Sequence, residues 1–384
     1  MSENQEIPVE YDSQGLSIGV EAEDTAAPDV VIHDPFDPAK IDVQTRTMTV
    51  DLLLARLRRG VLDLAPDFQR HAGIWNEVNQ SRLIESMLLR IPLPTLYAAE
   101  SGEESWAVVD GIQRLTTIAR FVDPAIIGES PLRLRGLEYL GYNGMLYTDL
   151  PGAMQTRIDE TELIIHLIRA GTPEAVKFNI FARINTGGSP LTLQELRHAL
   201  IPGPARDLLQ TLAASPAFLS ATQNSVRHER MADREMVLRF LAFRLTEPGR
   251  YPRGDLDTFL REAMKQLNKL DSAEIRRLTH EFVKAMVSAE AIFGEHAFRK
   301  RLPGQLRRQP INKALFEAES VNLAALTPRE LIKLEENRDL VQAELALLME
   351  DPKFQQAISV GTGDVEKVRR RFGVLQELFR KAAQ

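Results

Sequence analysis

Asp110, Gly111, Gln113 and Arg114 stand within five consecutive residues, DGIQR, where the apolar run 106–109 passes into the helix-like pattern 112–121. A strand that delivers its chain to a helix N-terminus exposes unpaired backbone N–H groups carrying partial positive charge, and these attract anions. Gly111 supplies a positive φ and lets the backbone come close to a ligand. Arg114 can fork two hydrogen bonds onto phosphate oxygens. Asp110 would repel a phosphate directly, so its useful roles are orienting Arg114, holding a magnesium ion or positioning water. The same five residues also read as an ordinary strand–turn–helix connection with an Asp N-cap and an exposed Arg, and the turn alone does not decide between the two.

Two more clusters repeat the pairing of arginine with an amide or glycine. PDFQRHAGIW puts Gln69 and Arg70 at the end of an extended segment, with Trp75 five residues on. A lone Trp packs in a core as a rule, but beside an arginine it can stack on a base. FARINTGGSPLTLQELR ends a helix at Arg183 and Asn185, turns at Gly187–Gly188 and reaches Arg197 in the next helix. The double glycine is equally a plain helix C-cap.

Other chemistries are excluded by residue type. The chain has no cysteine, which removes disulfides, thiol catalysis and thiolate zinc sites. No Walker A, G-x-S-x-G, H-E-x-x-H or His-Asn-His nuclease pattern occurs. The seven histidines are scattered, without metal-ligand spacing.

The elements that must position these clusters follow from periodicity. A short helix is expected at 49–60, closed by Gly60, and an extended segment from Val61 to Arg70. Leu83, Ile84, Met87 and Leu88 mark a helical stripe ended by Pro92 and Pro94. TLYAAE and WAVVDG form a hairpin, with a helix behind the DGIQR turn, and 160–169 is a buried strand. Thr172 and Pro173 open a helix, and Thr192 and Glu195 form a capping box. Beyond Pro204 the strand patterns stop. Amphipathic runs take over at 233–245, 256–270, 271–289, 328–349 and 364–382, with a second capping box at Thr327 and Glu330.

The 384 residues, 44% hydrophobic and 26% charged, suit a soluble protein of two or three domains. No apolar run reaches bilayer length and no signal peptide is legible, so the expected location is cytoplasmic, with no membrane partner. The net charge of −7 is uneven: residues 1–40 hold ten acids against Lys40 alone, leaving 44 acids and 46 bases in the remainder. Residues 1–40 are expected to be an acidic, disordered tail; a tail of that sign could also cover a basic groove on its own protein. The expected architecture is α+β: a tail at 1–40, a domain with a small mixed sheet at 41–203 and an all-helical domain at 204–384. Seven arginines against four acids at 227–253, and Arg299, Lys300, Arg301, Arg307 and Arg308 without an acid, suit phosphate contacts or a solvated surface.

In this order, PDFQRHAGIW, SRLIESMLLRIPLP, VVDGIQRLTTIARF and FARINTGGSPLTLQELRHAL resemble the N-terminal domain of GmrSD-type restriction enzymes, a family of the ParB/sulfiredoxin-like superfamily, over at least residues 49–200. The resemblance implies a ParB/sulfiredoxin-like fold with a nucleotide site on the D-G-x-Q-R turn, a nucleoside triphosphate (NTP) as ligand and, in many members, its hydrolysis. Carried over, Asp110, Gln113 and Arg114 would be the catalytic set, with Asp110 also the Mg2+ ligand. Gln69, Arg70, Trp75 and Gly111 would bind the nucleotide, with Arg183 and Asn185 a weaker extension. The well-studied pattern is D-G-Q-Q-R; here Ile112, which has no acid–base chemistry, stands in the middle, and the absence of cysteine excludes sulfiredoxin activity. Many relatives continue into a His-Asn-His nuclease and this chain does not, so DNA cleavage would fall to a partner nuclease or effector. The function expected is therefore a nucleotide-binding, NTP-hydrolysing module of a restriction or antiphage system that regulates engagement of DNA or of a partner. The alternative is a non-hydrolysing DNA-binding or scaffold protein of the same fold; nuclease activity of its own ranks third.

Overall fold

The structure, a computed structural model, describes residues 7–11, 15–23, 38–64, 75–101, 104–184, 191–252, 255–301 and 308–384, with side chains at all of these but 38, 182–184 and 229. The chain forms two compact units, Ile32–Pro202 and Met1–Val31 with Gly203–Gln384. Among the described residues no helix is long and apolar enough to cross a membrane.

The acidic N-terminus departs from the expected tail. Strands β1 (Val9–Tyr11) and β2 (Ser17–Glu21) pair antiparallel, and Ile18 and Val20 are fully buried. The reason is charge pairing inside the helical unit. Glu10 binds Lys313 at 2.6 Å and Glu21 binds Lys300 at 2.5 Å. Both carboxylate oxygens of Glu23 accept from Arg239. Backbone bonds add Glu21 N–H to the Ile311 carbonyl, 2.8 Å, and Ile311 N–H to the Gly19 carbonyl, 3.0 Å. Gly19 is required there: its φ is +79° and a Cβ would lie 1.7 Å from the Ser225 carbonyl oxygen.

In the Ile32–Pro202 unit, β3 (Val43–Thr49), β4 (Leu62–Asp63), β5 (Leu96–Glu100), β6 (Trp106–Asp110) and β7 (Glu162–Ile168) form one mixed sheet in the order β3-β7-β5-β6-β4. β3/β7 and β5/β6 are antiparallel; β5/β7 and β4/β6 are parallel. The expected hairpin of β5 and β6 is present. Of the extended segment expected from Val61 to Arg70, Leu62–Asp63 form β4, and residues 65–74 lie outside the described residues. β7 alternates, with Leu163, Ile165 and Leu167 buried while Glu162 and Ile164 are exposed. One face of the sheet is therefore packed and the other is open on the β3/β7 side. The helices are α1 (Val50–Arg58), α2 (Glu77–Leu88), α3 (Ile112–Val122), α4 (Gly152–Asp159), α5 (Glu174–Ile184) and α6 (Leu193–Leu200). α6 starts from the expected Thr192–Glu195 capping box. Thr172 instead exchanges hydrogen bonds with the Asp42 backbone at 3.1 and 3.3 Å. α2 carries the expected apolar stripe and a buried acid, Glu85, which accepts the backbone N–H groups of Glu138, Tyr139 and Leu140 at 2.8–2.9 Å. Burial alone would raise the Glu85 pKa; the three donors outweigh it and hold the carboxyl below its ordinary value.

The other unit is helical beyond β1 and β2: α7 (Ala205–Ala213), α8 (Pro216–Ala221), α9 (Ala232–Leu245), α10 (Leu256–Leu267), α11 (Ser272–Phe293), α12 (Lys313–Ala325), α13 (Pro328–Glu336), α14 (Arg338–Leu348), α15 (Pro352–Ser359) and α16 (Val365–Ala382). The run expected at 328–349 breaks in two at Asn337, which ends α13 and begins α14. α12 is buried along most of its length, including Glu317 and Glu319. Glu317 pairs with Arg371 and Arg239. Among the described residues Glu319 has no such cation: one oxygen accepts the Phe298 N–H at 3.0 Å, and the other has no hydrogen-bond partner among them.

Two outcomes follow for this unit. Glu23→Ala leaves Arg239 short of a carboxylate and lowers stability by about 3–5 kcal/mol, seen as a lower thermal midpoint; an unchanged midpoint would show that the acidic segment contributes nothing to the fold. Burial pushes the Glu319 carboxyl up to about 8 from an ordinary 4.5. Between those values the unfolded chain has released a proton that the folded chain keeps, so stability falls as pH rises from 4.5 to about 8 and this contribution levels off above. Glu319→Gln removes that slope, and melting curves of variant and wild type at pH 5 and pH 8 measure it.

Candidate functional site

β6 is buried from Trp106 to Val109 and emerges at Asp110. Gly111 then takes the left-handed conformation, φ +92° and ψ 10°, and α3 begins without a side-chain cap. The first bond of the helix runs from Leu115 N–H to the Gly111 carbonyl, 3.0 Å. Ile112, Leu115, Ile118, Ala119 and Phe121 are buried; that stripe fixes the rotation of the helix. It also explains Ile112, which is 3% exposed and serves the core rather than the site. Gly111 is required twice over: by its φ, and because a Cβ would meet Leu96 Cδ2 at 2.1 Å.

Arg114 is neither the exposed side chain of the plain-turn reading nor a guanidinium held open for a ligand. Its Nη2 donates to Asp110 Oδ2 at 2.9 Å and to the Thr95 carbonyl at 3.1 Å, and its Nη1 donates to the Pro94 carbonyl. The side chain is 12% exposed. Burial lowers the Arg114 pKa, and Asp110 opposes that shift without cancelling it. Of the five N–H donors an arginine carries, these bonds use three. The guanidinium thereby ties the entry of β5 to the exit of β6 and to α3. Gly111, not Asp110, is the N-cap of that helix.

Gln113 connects to Trp75: its Oε1 receives the Trp75 N–H at a long 3.5 Å. The Trp75 carbonyl accepts from Gln80 Nε2 at 2.7 Å, Gln80 Oε1 accepts from Arg120 at 2.9 Å, and Arg120 reaches Glu77 at 3.1 Å. A polar chain thus runs from α3 through Trp75 to α2. It places the half-buried Trp75 beside the turn, as the motif order suggested. Gln69, Arg70 and Asn185 lie outside the described residues; Arg183 falls in the last turn of α5, its side chain undescribed.

For a cation, Asp110 presents a carboxylate that is 36% exposed, with Oδ2 taken by Arg114. No described residue hydrogen-bonds its other oxygen. Among the described residues no group of three His, Asp or Glu gathers to form a metal cage. Magnesium does not demand one, since one or two carboxylates plus phosphates and water commonly hold it. Asp110 therefore fits Mg2+ delivered with a nucleotide.

Part of the basic charge in the helical unit is used inside the unit, whereas Arg227, Arg250 and Arg308 are exposed. Arg234, Arg239, Arg299 and Lys300 are at most 7% exposed. Arg299 donates to the Gln309 and Thr222 carbonyls and to Ser225. Arg244 pairs with Glu281 at 2.8 Å. These cations hold the unit together and are not available to a phosphate backbone.

The sequence reading missed residues beside the turn. Tyr97 is the cross-strand partner of Asp110, and His166 is the cross-strand partner of Tyr97. An alternation count on β7 places His166 on the open face, but nothing in the sequence joins it to Asp110, because register between distant strands is not written locally.

Residues 51–202 match the family described as GmrSD restriction endonuclease, N-terminal domain. The match spans β4 to β7 and α1 to α6 and includes the turn, so this segment is such a domain and belongs among restriction and defence components. Neither the curated proteins nor the solved structures contain a match to the chain.

Gly111→Ala is expected to destabilise the sheet-bearing unit. A left-handed non-glycine residue costs about 1–2 kcal/mol and overpacking against Leu96 about 1–3 kcal/mol more. Chemical denaturation measures the sum; a loss under about 1 kcal/mol would mean that the turn relaxes freely.

Proposed function

We propose that this chain, a restriction or defence component through its GmrSD-type N-terminal domain, binds a nucleoside triphosphate at the DGIQR turn and regulates engagement of DNA or of a partner protein by that occupancy. The observation that supports the reading is the start of α3: an eleven-residue helix entered from a left-handed glycine, with no side-chain cap, beside a carboxylate–guanidinium pair. Phosphate oxygens would take the helix N–H groups. Gln113 orients a phosphate oxygen or a water. Arg114 is a positioning residue first, with two donors beyond its three bonds to the protein. Mg2+, when bound through Asp110, would neutralise phosphate charge and act as a Lewis acid.

A second reading, binding without turnover, is favoured by Ile112. Its side chain lies in the core, so the middle position of the motif offers no proton-transfer group, and hydrolysis would rest on Asp110 and Gln113 alone. In either case cleavage of DNA belongs to a partner nuclease or effector.

Calorimetry on the full chain with ATP, GTP, CTP and UTP tests the proposal. Binding is expected at about 1 mM or tighter, and Gln113→Ala weakens it about tenfold without lowering the thermal midpoint by more than a few degrees. If no NTP binds at several times that concentration, the proposal fails. Phosphate release by the same samples, with and without Mg2+, separates turnover from binding.

A further inference from the structure

Four of the five strands, from the β3 edge inward to β6, carry one row of residues on the face that is open on the β3/β7 side. Thr45 on β3 faces His166 on β7, His166 faces Tyr97 on β5, and Tyr97 faces Asp110 on β6. Thr45 Oγ1 and His166 Nδ1 are 3.0 Å apart. The rings of Tyr97 and His166 lie 4.9 Å between centroids with planes 38° apart, within the range of favourable aromatic pairing. The row is not sealed. Thr45 and Thr47 are exposed, Tyr97 and His166 are half-buried, and the neighbouring Ile164 is 43% exposed. No described residue hydrogen-bonds the Tyr97 hydroxyl or His166 Nε2. One end of this row is the carboxylate that holds Arg114. The other end, Thr45, lies three strand spacings away, about 14 Å at about 4.8 Å per strand.

A surface of this kind suits a planar, uncharged ring rather than a second phosphate. It offers two aromatic rings, an apolar isoleucine and hydrogen-bonding groups, with no lysine or arginine in the row. Rings on a sheet face hold nucleobases by stacking and edge contacts without needing a particular base. We propose that Tyr97, His166 and Thr45 form the nucleoside end of the site: the base of the NTP rests against the Tyr97–His166 pair, while His166 Nε2 and the threonine hydroxyl meet its polar edge or its ribose. This rests on the reading of the DGIQR turn as the phosphate end, and it supplies what that turn lacks, a means of preferring a nucleotide over bare polyphosphate. Tyr97 and His166 act in binding and take no part in proton transfer.

The test compares NTPs with inorganic tripolyphosphate on the full chain by calorimetry, with Mg2+ present. Wild type is expected to bind NTP at least about tenfold more tightly than tripolyphosphate. Tyr97→Leu and His166→Leu bring NTP down to the tripolyphosphate level and leave tripolyphosphate binding unchanged, while Tyr97→Phe and His166→Phe keep most of the preference. Should the leucine variants melt early, the base protons of NTP bound to wild type give an independent reading by NMR, where a ring-current shift is expected. Equal affinity for NTP and tripolyphosphate in wild type, leucine variants that keep the preference, or bound NTP with unshifted base protons overturns this inference and leaves the phosphate end standing. Wild type that binds neither ligand overturns both.

Discussion

The Arg114 guanidinium joins the Pro94 and Thr95 carbonyls, where β5 begins, to Asp110, where β6 ends, and carries α3 with it. Backbone carbonyls at a strand entrance cannot stay buried unpaired without cost, and Asp110 could not approach them without the cation between. The orientation of the turn, the exit of Gly111 into positive φ and the start of α3 all depend on this one group. Because the arginine is committed to the fold, the anion binding we propose for the turn would fall first to the helix N–H groups, with the guanidinium supplying field and two further donors. A motif residue can thus be necessary for a site without being the atom that touches the ligand.

The helical unit depends on charge in another way. Glu10, Glu21 and Glu23 come from the N-terminal segment, Glu235 and Glu317 from α9 and α12. They surround Arg239, Lys300, Lys313 and Arg371 in a largely buried network. Burial penalises Glu23, but Arg239 and Lys313 outweigh it and lower its pKa. Burial likewise penalises Lys313, and Glu235, Glu10 and Glu23 outweigh it and raise its pKa. Networks of this kind are costly when a member is missing and specific when complete. They explain how a stretch with low hydropathy and excess acid is ordered: its partners lie 216 to 303 residues further along the chain.

Tyr97 and His166 show how a sheet gathers chemistry that no motif announces. Each sits in an unremarkable strand, and neither has an ionisable neighbour in sequence that points to a site. The mixed order β3-β7-β5-β6-β4 brings them into line with Asp110. A shift of one residue in any of three strand pairs would send them to the opposite face. The same limit applies to the arginine-rich stretches: charge counted along the chain cannot distinguish Arg239, enclosed by three carboxylates, from Arg250, whose side chain is 82% exposed.

Local chemistry by itself determined the β5–β6 hairpin, the helix after it, the strand β7 (though not that one of its faces stays open) and the capping boxes at Thr192 and Thr327, because alternation, helical period and cap residues act over a few positions. It also determined the family, through four short motifs in order. Only the tertiary structure decided that Arg114 binds its own backbone, that Ile112 belongs to the core, that the acidic N-terminus enters the helical unit, and that Thr45, His166, Tyr97 and Asp110 share a row. Each of these is a pairing across large separations in sequence or a matter of which way a side chain faces once packed, and such choices are made by burial and register, which no local window contains.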